Sequence, residues 1–379
     1  MEPQQKTALI LTGGGARAAY QVGVLQAISE LLGHPGRNPF PIICGTSAGA
    51  INAASLACYA DHFAEAVGAL HRIWSNFHVG QVYRADALGI GLSSLNWLSA
   101  FVFGWLVKHS PRSLLDNTPL RHLLEQNLDF SGIDKAIERG NLFAVSITAS
   151  GYLSGNSISF FQARPEVEIW KRTHRAGAKV KIGVDHLLAS SAIPFIFPAI
   201  KVNREFFGDG SMRQLAPVSP AIHLGAERIL VIGAGRIADE RERMRSDVYP
   251  SFAQIAGHAM SSIFLDSLHV DLESLQRINN TVSIIPEDAR EKAGLPLRRI
   301  ETLVIMPSQR IDYMAARHFD SLPWAVRALL RGIGATGKNG SALTSYLIFE
   351  KPFTCALIEL GYTDTMSRRD EVCAFLGVQ

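Results

Sequence analysis

A chain of 379 residues, 47% hydrophobic and 19% charged, carries enough apolar side chains for a large core and excludes a disordered polymer. A net charge of +3 is too mild to call for nucleic acid, although it would tolerate an anionic membrane surface. Cys44, Cys58, Cys355 and Cys373 form neither a C-x-x-C pair nor a metal spacing with histidine, so the sequence predicts reduced thiols, no metal and a cytoplasmic setting.

The N-terminal residues show no basic segment followed by an apolar one, hence no secretory signal is expected. The first element is the apolar run Ala8–Thr12, which stops at Gly13-Gly14-Gly15-Ala16-Arg17. Ala19, Val22, Leu25, Ile28 and Leu32 then recur at helical spacing. Glycines between a strand and a helix let consecutive N–H groups face one hollow, either an anion nest or an oxyanion hole. Gly13-x-Gly15-x-x-Ala18 also fits a dinucleotide fingerprint, but that requires an acidic residue after the next strand, and Cys44-Gly45 stands there instead. No G-K-[ST] follows the glycines, so a P-loop fails as well, and no cofactor is expected.

The second strand, Pro41 to Cys44, runs into Gly45-Thr46-Ser47-Ala48-Gly49 and an alanine-rich helix. Strand, G-x-S-x-G and helix in that order make a nucleophile elbow, with Gly45 and Gly49 allowing the tight turn that lifts Ser47 off the backbone. Ser47 then also stands at a helix N-terminus, where developing negative charge is favoured. One helix is predicted from Ile51 to His71.

Residues 87–107 carry no charge and include Trp97 and Trp105, with Lys108, His109 and Arg112 just beyond. Three readings compete: a membrane-spanning helix, a buried core segment, and a lid or membrane-dipping flap, for which interfacial tryptophans beside basic residues are apt. Asn117 and Pro119 predict a capped helix through Leu128, and Asn141–Ala149 with Tyr152–Gln162 a strand and its hairpin partner. In His186–Pro198, Ser190, Ser191 and a proline-stiffened aromatic loop could line an acyl pocket. Asp209 sits between glycines after two phenylalanines, a turn in its own right and a candidate base once a serine elbow lies upstream. Arg228–Gly233, Thr281–Pro286 and Thr302–Pro307 read as further buried strands, and the charged run Asp239–Arg243 as a solvated face. Apolar strands alternating with helices imply α/β architecture with a mostly parallel sheet covered on both faces.

Gly13–Arg17, Gly45–Gly49, Ser190–Pro194 with Phe197-Pro198, and Asp209-Gly210-Ser211 occur in the order found in patatin-like phospholipases, and the chain resembles that family from Thr7 to Ala226. The resemblance implies a three-layer α/β/α sandwich, one patatin-like domain over residues 7–379 with an apolar insertion at 87–112. It further implies a metal-free lipid acyl hydrolase of phospholipase A or lysophospholipase type that meets the membrane peripherally. By position, Ser47 is the nucleophile and Asp209 the base. Gly13, Gly14, Gly15, Ala16 and Arg17 form the oxyanion loop, with Arg17 steadying it or an anionic head group. Ala18 and Ser211 depart from the family's usual glycine, and glycine or alanine. Rivals are an ordinary α/β-hydrolase using His223, His258, His269 or His318, and a lipid-docking scaffold of the same fold without turnover.

Overall fold

In a computed structural model, which describes residues 6–85, 113–235, 249–294, 297–335 and 337–378, one ten-stranded sheet organises the chain. The strands are β1 (Thr7–Leu11), β2 (Ile42–Thr46), β3 (Ala144–Gly151), β4 (Ser157–Ala163), β5 (Lys171–Arg172), β6 (Arg175–Lys179), β7 (Ile200–Val202), β8 (Glu205–Asp209), β9 (Arg228–Ile232) and β10 (Glu301–Ile305). They lie in the order β10-β9-β1-β2-β3-β4-β6-β5, and β10 through β3 are mutually parallel. β4 turns back antiparallel on β3, and β8 pairs antiparallel with the end of β3, setting Asp209 opposite Ala149.

The parallel strands are apolar on both faces because both are covered. Leu9, Leu11, Ile43, Val145, Leu230 and Ile232 point into one core, whose other wall is built by helices α1 (Ala19–Leu31), α2 (Ala48–Cys58), α3 (Phe63–Trp74) and the helix Lys351–Ser367. Their neighbours Ala8, Ile10, Ile42, Cys44, Ile229 and Val231 point to the opposite face, under Ala221 of the helix Ser219–His223 and Leu268 and Leu275 of the helix Ser267–Ile284. Cys44 is a small apolar filler there, and burial pushes its thiol up to about 12.

Several sequence expectations are corrected. The single helix from Ile51 to His71 is two, α2 and α3, because the loop before β2 replaces the helical hydrogen bonds at the break: Asn38 N–H donates to the Ala60 carbonyl, and Phe63 N–H to that of Gly36. Thr281–Pro286 is no strand but the end of the helix Ser267–Ile284, followed by a turn; Leu268, Leu275 and Val282 are buried at a seven-residue interval, whereas Ile284 faces solvent. Asn117 stands at the N-cap of the helix Thr118–Asn127 without capping it. Asp116 accepts from Thr118 N–H at 2.9 Å instead, and Asn117 Nδ2 is buried without a partner. The hairpin partner of β3 begins only at Ser157. The apolar insertion at 87–112 and the charged run 239–243 lie outside the described residues. Among the described residues no helix is long and apolar enough to cross a membrane.

Candidate active site

β1 and β2 are neighbours in parallel register, with Leu11 opposite Gly45, so the two loops leaving their C-terminal ends emerge side by side. The loop after β2 holds Ser47 at φ 55° and ψ −129°, the left-handed region that a side chain occupies only when the surroundings enforce it. The close fit explains the flanking glycines. A Cβ on Gly49 would strike the carbonyls of Leu11 and Thr12, and one on Gly45 would strike the first turn of α2. Ser47 is thereby the N-cap residue of α2.

Ser190 completes the support. Its hydroxyl accepts from Ser47 N–H at 2.9 Å and donates to the Thr148 carbonyl at 2.6 Å, joining the elbow to β3. The expectation for the two serines therefore divides. Ser190 is beneath the elbow, whereas Ser191 lines the neighbouring cavity with Ile193 and Phe197.

Asp209 ends β8 directly across from this turn. Ser47 Oγ donates to Asp209 Oδ2 at 2.6 Å, and Ser211 N–H donates to Oδ1 at 2.9 Å. Both residues are almost sealed from solvent, each 1% exposed. Burial raises the Asp209 carboxyl to about 6, against the lowering effect of the hydrogen bonds from Ser47 and Ser211. Among the described residues none of His223, His258, His269 and His318 is hydrogen-bonded to Ser47 or Asp209; His223, at the end of the helix Ser219–His223, stacks on Trp170 instead. The pair can move a proton between hydroxyl and carboxylate without a third member.

The glycine loop continues from β1 into a short 3-10 turn, Gly15–Ala18. Gly15 has φ 54° and lies against the Tyr346 carbonyl, where a side chain has no room, and it lines the same cavity as Ser47. Arg17 is buried and points away, its Nε donating to Ser345 Oγ at 2.8 Å and its guanidinium lying 3.9 Å over the Tyr346 ring. Of its two expected tasks the geometry favours steadying the loop.

A buried polar network connecting these parts was not anticipated. Trp74 Nε1 donates to Asn52 Oδ1, and Asn52 Nδ2 donates to Gln21 Oε1, both at 2.9 Å, and also to the Ala18 carbonyl at 3.3 Å. Gln21 Nε2 donates to the Thr12 carbonyl at 2.8 Å. Both ends of the glycine loop are thus tied to the elbow helix. Its residues are far apart in sequence, and only the polar character of Asn52 and Gln21 between apolar neighbours on their helices hinted at it.

From Ser47 and Ala48 a cavity of about 60 Å³ runs between α2, α3 and the helix Thr118–Asn127, walled mainly by Ile51, Leu70, Trp74, Leu120 and Phe349. An apolar slot beside a hydroxyl and its base suits an acyl chain. No group of three or more His, Cys, Asp or Glu side chains gathers into a metal-holding set among the described residues.

Comparison with known proteins bears on the same elements. The family model described as patatin-like phospholipase matches residues 9–222, from β1 through the helix after Asp209. A curated relative from Pseudomonas aeruginosa (strain BWHPSA011 / Pa011), described as cGAMP-activated phospholipase, is 30% identical over 215 residues. The match covers 57% of this chain and 55% of the relative, so the chain spans about half the length of that protein. Among solved structures, VipD from Legionella pneumophila covers 97% of this chain and 67% of its own, with a TM-score of 0.38 and 10% identity. The type III effector ExoU covers 99% and 89%, with a TM-score of 0.28 and 14% identity.

Proposed function

The chain belongs to the patatin-like phospholipase family, and we propose that it cleaves lipid acyl esters by two-step transfer through Ser47. Asp209 takes the Ser47 proton as Oγ attacks the ester carbonyl, then passes it to the departing alcohol. Water, activated by the same carboxylate, releases the acyl group from Ser47. The N–H groups of the Gly13–Arg17 loop, around Gly14, Gly15 and Ala16, and the N-terminus of α2 receive the oxyanion; one such donor is worth ~3–4 kcal/mol. The observation that carries this reading is the buried 2.6 Å hydrogen bond from Ser47 to Asp209. With its carboxyl raised to about 6, Asp209 is ionised at neutral pH yet a stronger base than an exposed aspartate.

The substrate class is phospholipid or lysophospholipid, met at a membrane surface. The test is release of p-nitrophenol from acyl esters, and of fatty acid from phospholipid vesicles, by wild type, Ser47→Ala and Asp209→Asn in the presence of chelator. Each assay is run with and without cGAMP, the activator named for the Pseudomonas relative. Turnover by wild type that disappears in both folded variants supports the dyad. An inert wild type that still binds vesicles, equally well with Ser47→Ala, would transfer support to the docking-scaffold reading.

A further inference from the structure

The cavity beside Ser47 has an aromatic flank. Trp74 and Phe77 pack at 4.9 Å between ring centroids, Phe77 and Phe349 at 5.7 Å, Trp74 and Phe349 at 6.4 Å, and Tyr83 spans Phe349 and Phe197 at 6.5 and 6.0 Å. Trp74, Phe77, Phe197 and Phe349 all line the cavity, and every one is buried. These rings are held in place. Trp74 Nε1 is bonded to Asn52, Tyr83 hydroxyl donates to the Leu347 carbonyl at 3.0 Å, and Val79 N–H donates to Glu350 Oε1 at 3.1 Å, pinning the strands of chain on either side. Phe349 comes from beyond residue 222, outside the stretch that matches the family. The wall therefore joins Trp74, Phe77 and Phe197, inside that stretch, to one ring contributed from the C-terminal part of the chain.

We propose that the cluster of Trp74, Phe77 and Phe349 is an acyl-length stop that restricts the chain held beside Ser47 to short and medium saturated acyl groups. The cavity follows α2 from Ser47 to Ser55, a path of about 12 Å at the helical rise of 1.5 Å per residue. Its interior of about 60 Å³ has room for only a handful of water-sized spheres, and the fixed rings of Trp74, Phe77, Phe197 and Phe349 form part of the wall that bounds it. An acyl chain gains about fourfold in affinity for each methylene taken out of water, so a closed end that a longer chain cannot fit shows as a reversal of that gain into a loss. Removing ring volume from the wall reopens it.

The inference deepens the acyl-hydrolase reading and rests on its acyl slot, but its readout is binding. Radiolabelled hexanoate, decanoate and palmitate, each below its micellar concentration, are equilibrated by dialysis against full-length Ser47→Ala, alone and combined with Phe349→Leu or Phe77→Leu. Two modest truncations are used because loss of a whole buried ring can unfold a core. In the Ser47→Ala background affinity is expected to rise from hexanoate to decanoate and to fall at palmitate. Either leucine variant raises the palmitate-to-hexanoate affinity ratio at least tenfold. Palmitate bound as tightly as decanoate before truncation, an unchanged ratio in both folded variants, or no fatty-acid binding at all overturns the proposal. Ester cleavage measured in parallel separates the two readings. Length-graded binding without cleavage by wild type defeats the hydrolase alone, and cleavage without a length limit defeats the stop alone.

Discussion

Replacing Asp209 by asparagine should stabilise the protein at alkaline pH while removing any activity that depends on it. Burial lifts the carboxyl from 3.8 to about 6, so the folded state binds the proton more tightly than the unfolded chain does. Stability contributed by that proton is complete below the unfolded value and lost as pH rises through about 6. At about 1.4 kcal/mol per pH unit, ionised Asp209 costs the native state about 3 kcal/mol from neutral pH upward. Asparagine keeps an acceptor for Ser211 N–H and a polar partner for Ser47 without the charge. Urea unfolding of wild type and Asp209→Asn at pH 8, 6.5, 5 and 4 reads the difference, in which the other carboxylates cancel. The variant is expected to be more stable by about 3 kcal/mol at pH 8, by about half that at pH 5, and to converge with wild type near pH 4. A folded variant that is no more stable at pH 8, or a gap that does not change with pH, would refute the assignment of a buried, raised carboxyl at this position.

Other consequences follow from the same geometry. Acyl-ester cleavage by wild type should rise with pH to a plateau, half-maximal near the Asp209 value of about 6, and a pH–rate profile with no inflection between 5 and 7 contradicts Asp209 as base. Gly49→Ala drives a methyl group into the carbonyls of Leu11 and Thr12, backbone atoms that cannot swing aside. Denaturant titration should show a loss of about 1–3 kcal/mol or more, and wild-type stability would mean the elbow is looser than described. Ser190→Ala strands Ser47 N–H and leaves the Thr148 carbonyl without its donor, which should cost about 1–3 kcal/mol and lower kcat with KM held. A loss confined to KM would place Ser190 against substrate instead.

Ser47, the glycine loop and Asp209 were legible because each is a local pattern whose backbone demands are written in adjacent residues. Gly45 and Gly49 report the close approach of strand and helix without any knowledge of the partner. The Trp74–Asn52–Gln21 network and the Phe349 wall left no such mark, since their members meet only when the sheet is assembled. Thr281–Ile285 shows the opposite failure. A β-branched run before a proline looks locally like a strand, yet it continues the helix Ser267–Ile284, which Leu268 and Leu275 pack against the sheet and in which Val282 is buried at the next seven-residue step. The break after α2 was equally hidden, because the groups that capture its backbone come from residues 35–38.

The placement of β9 between β10 and β1 has a practical consequence for anyone dividing this protein. A fragment cut at residue 222 would retain every motif residue from Gly13 to Ser211, yet expose the whole hydrogen-bonding edge of β1 and strip the apolar side chains of β1 of their neighbours Ile229 to Ile232. A long, flat, hydrophobic edge is a template for pairing with other chains. The motif-bearing segment expressed alone should therefore collect in inclusion bodies, and the boundary of the family match marks shared ancestry rather than a unit able to fold.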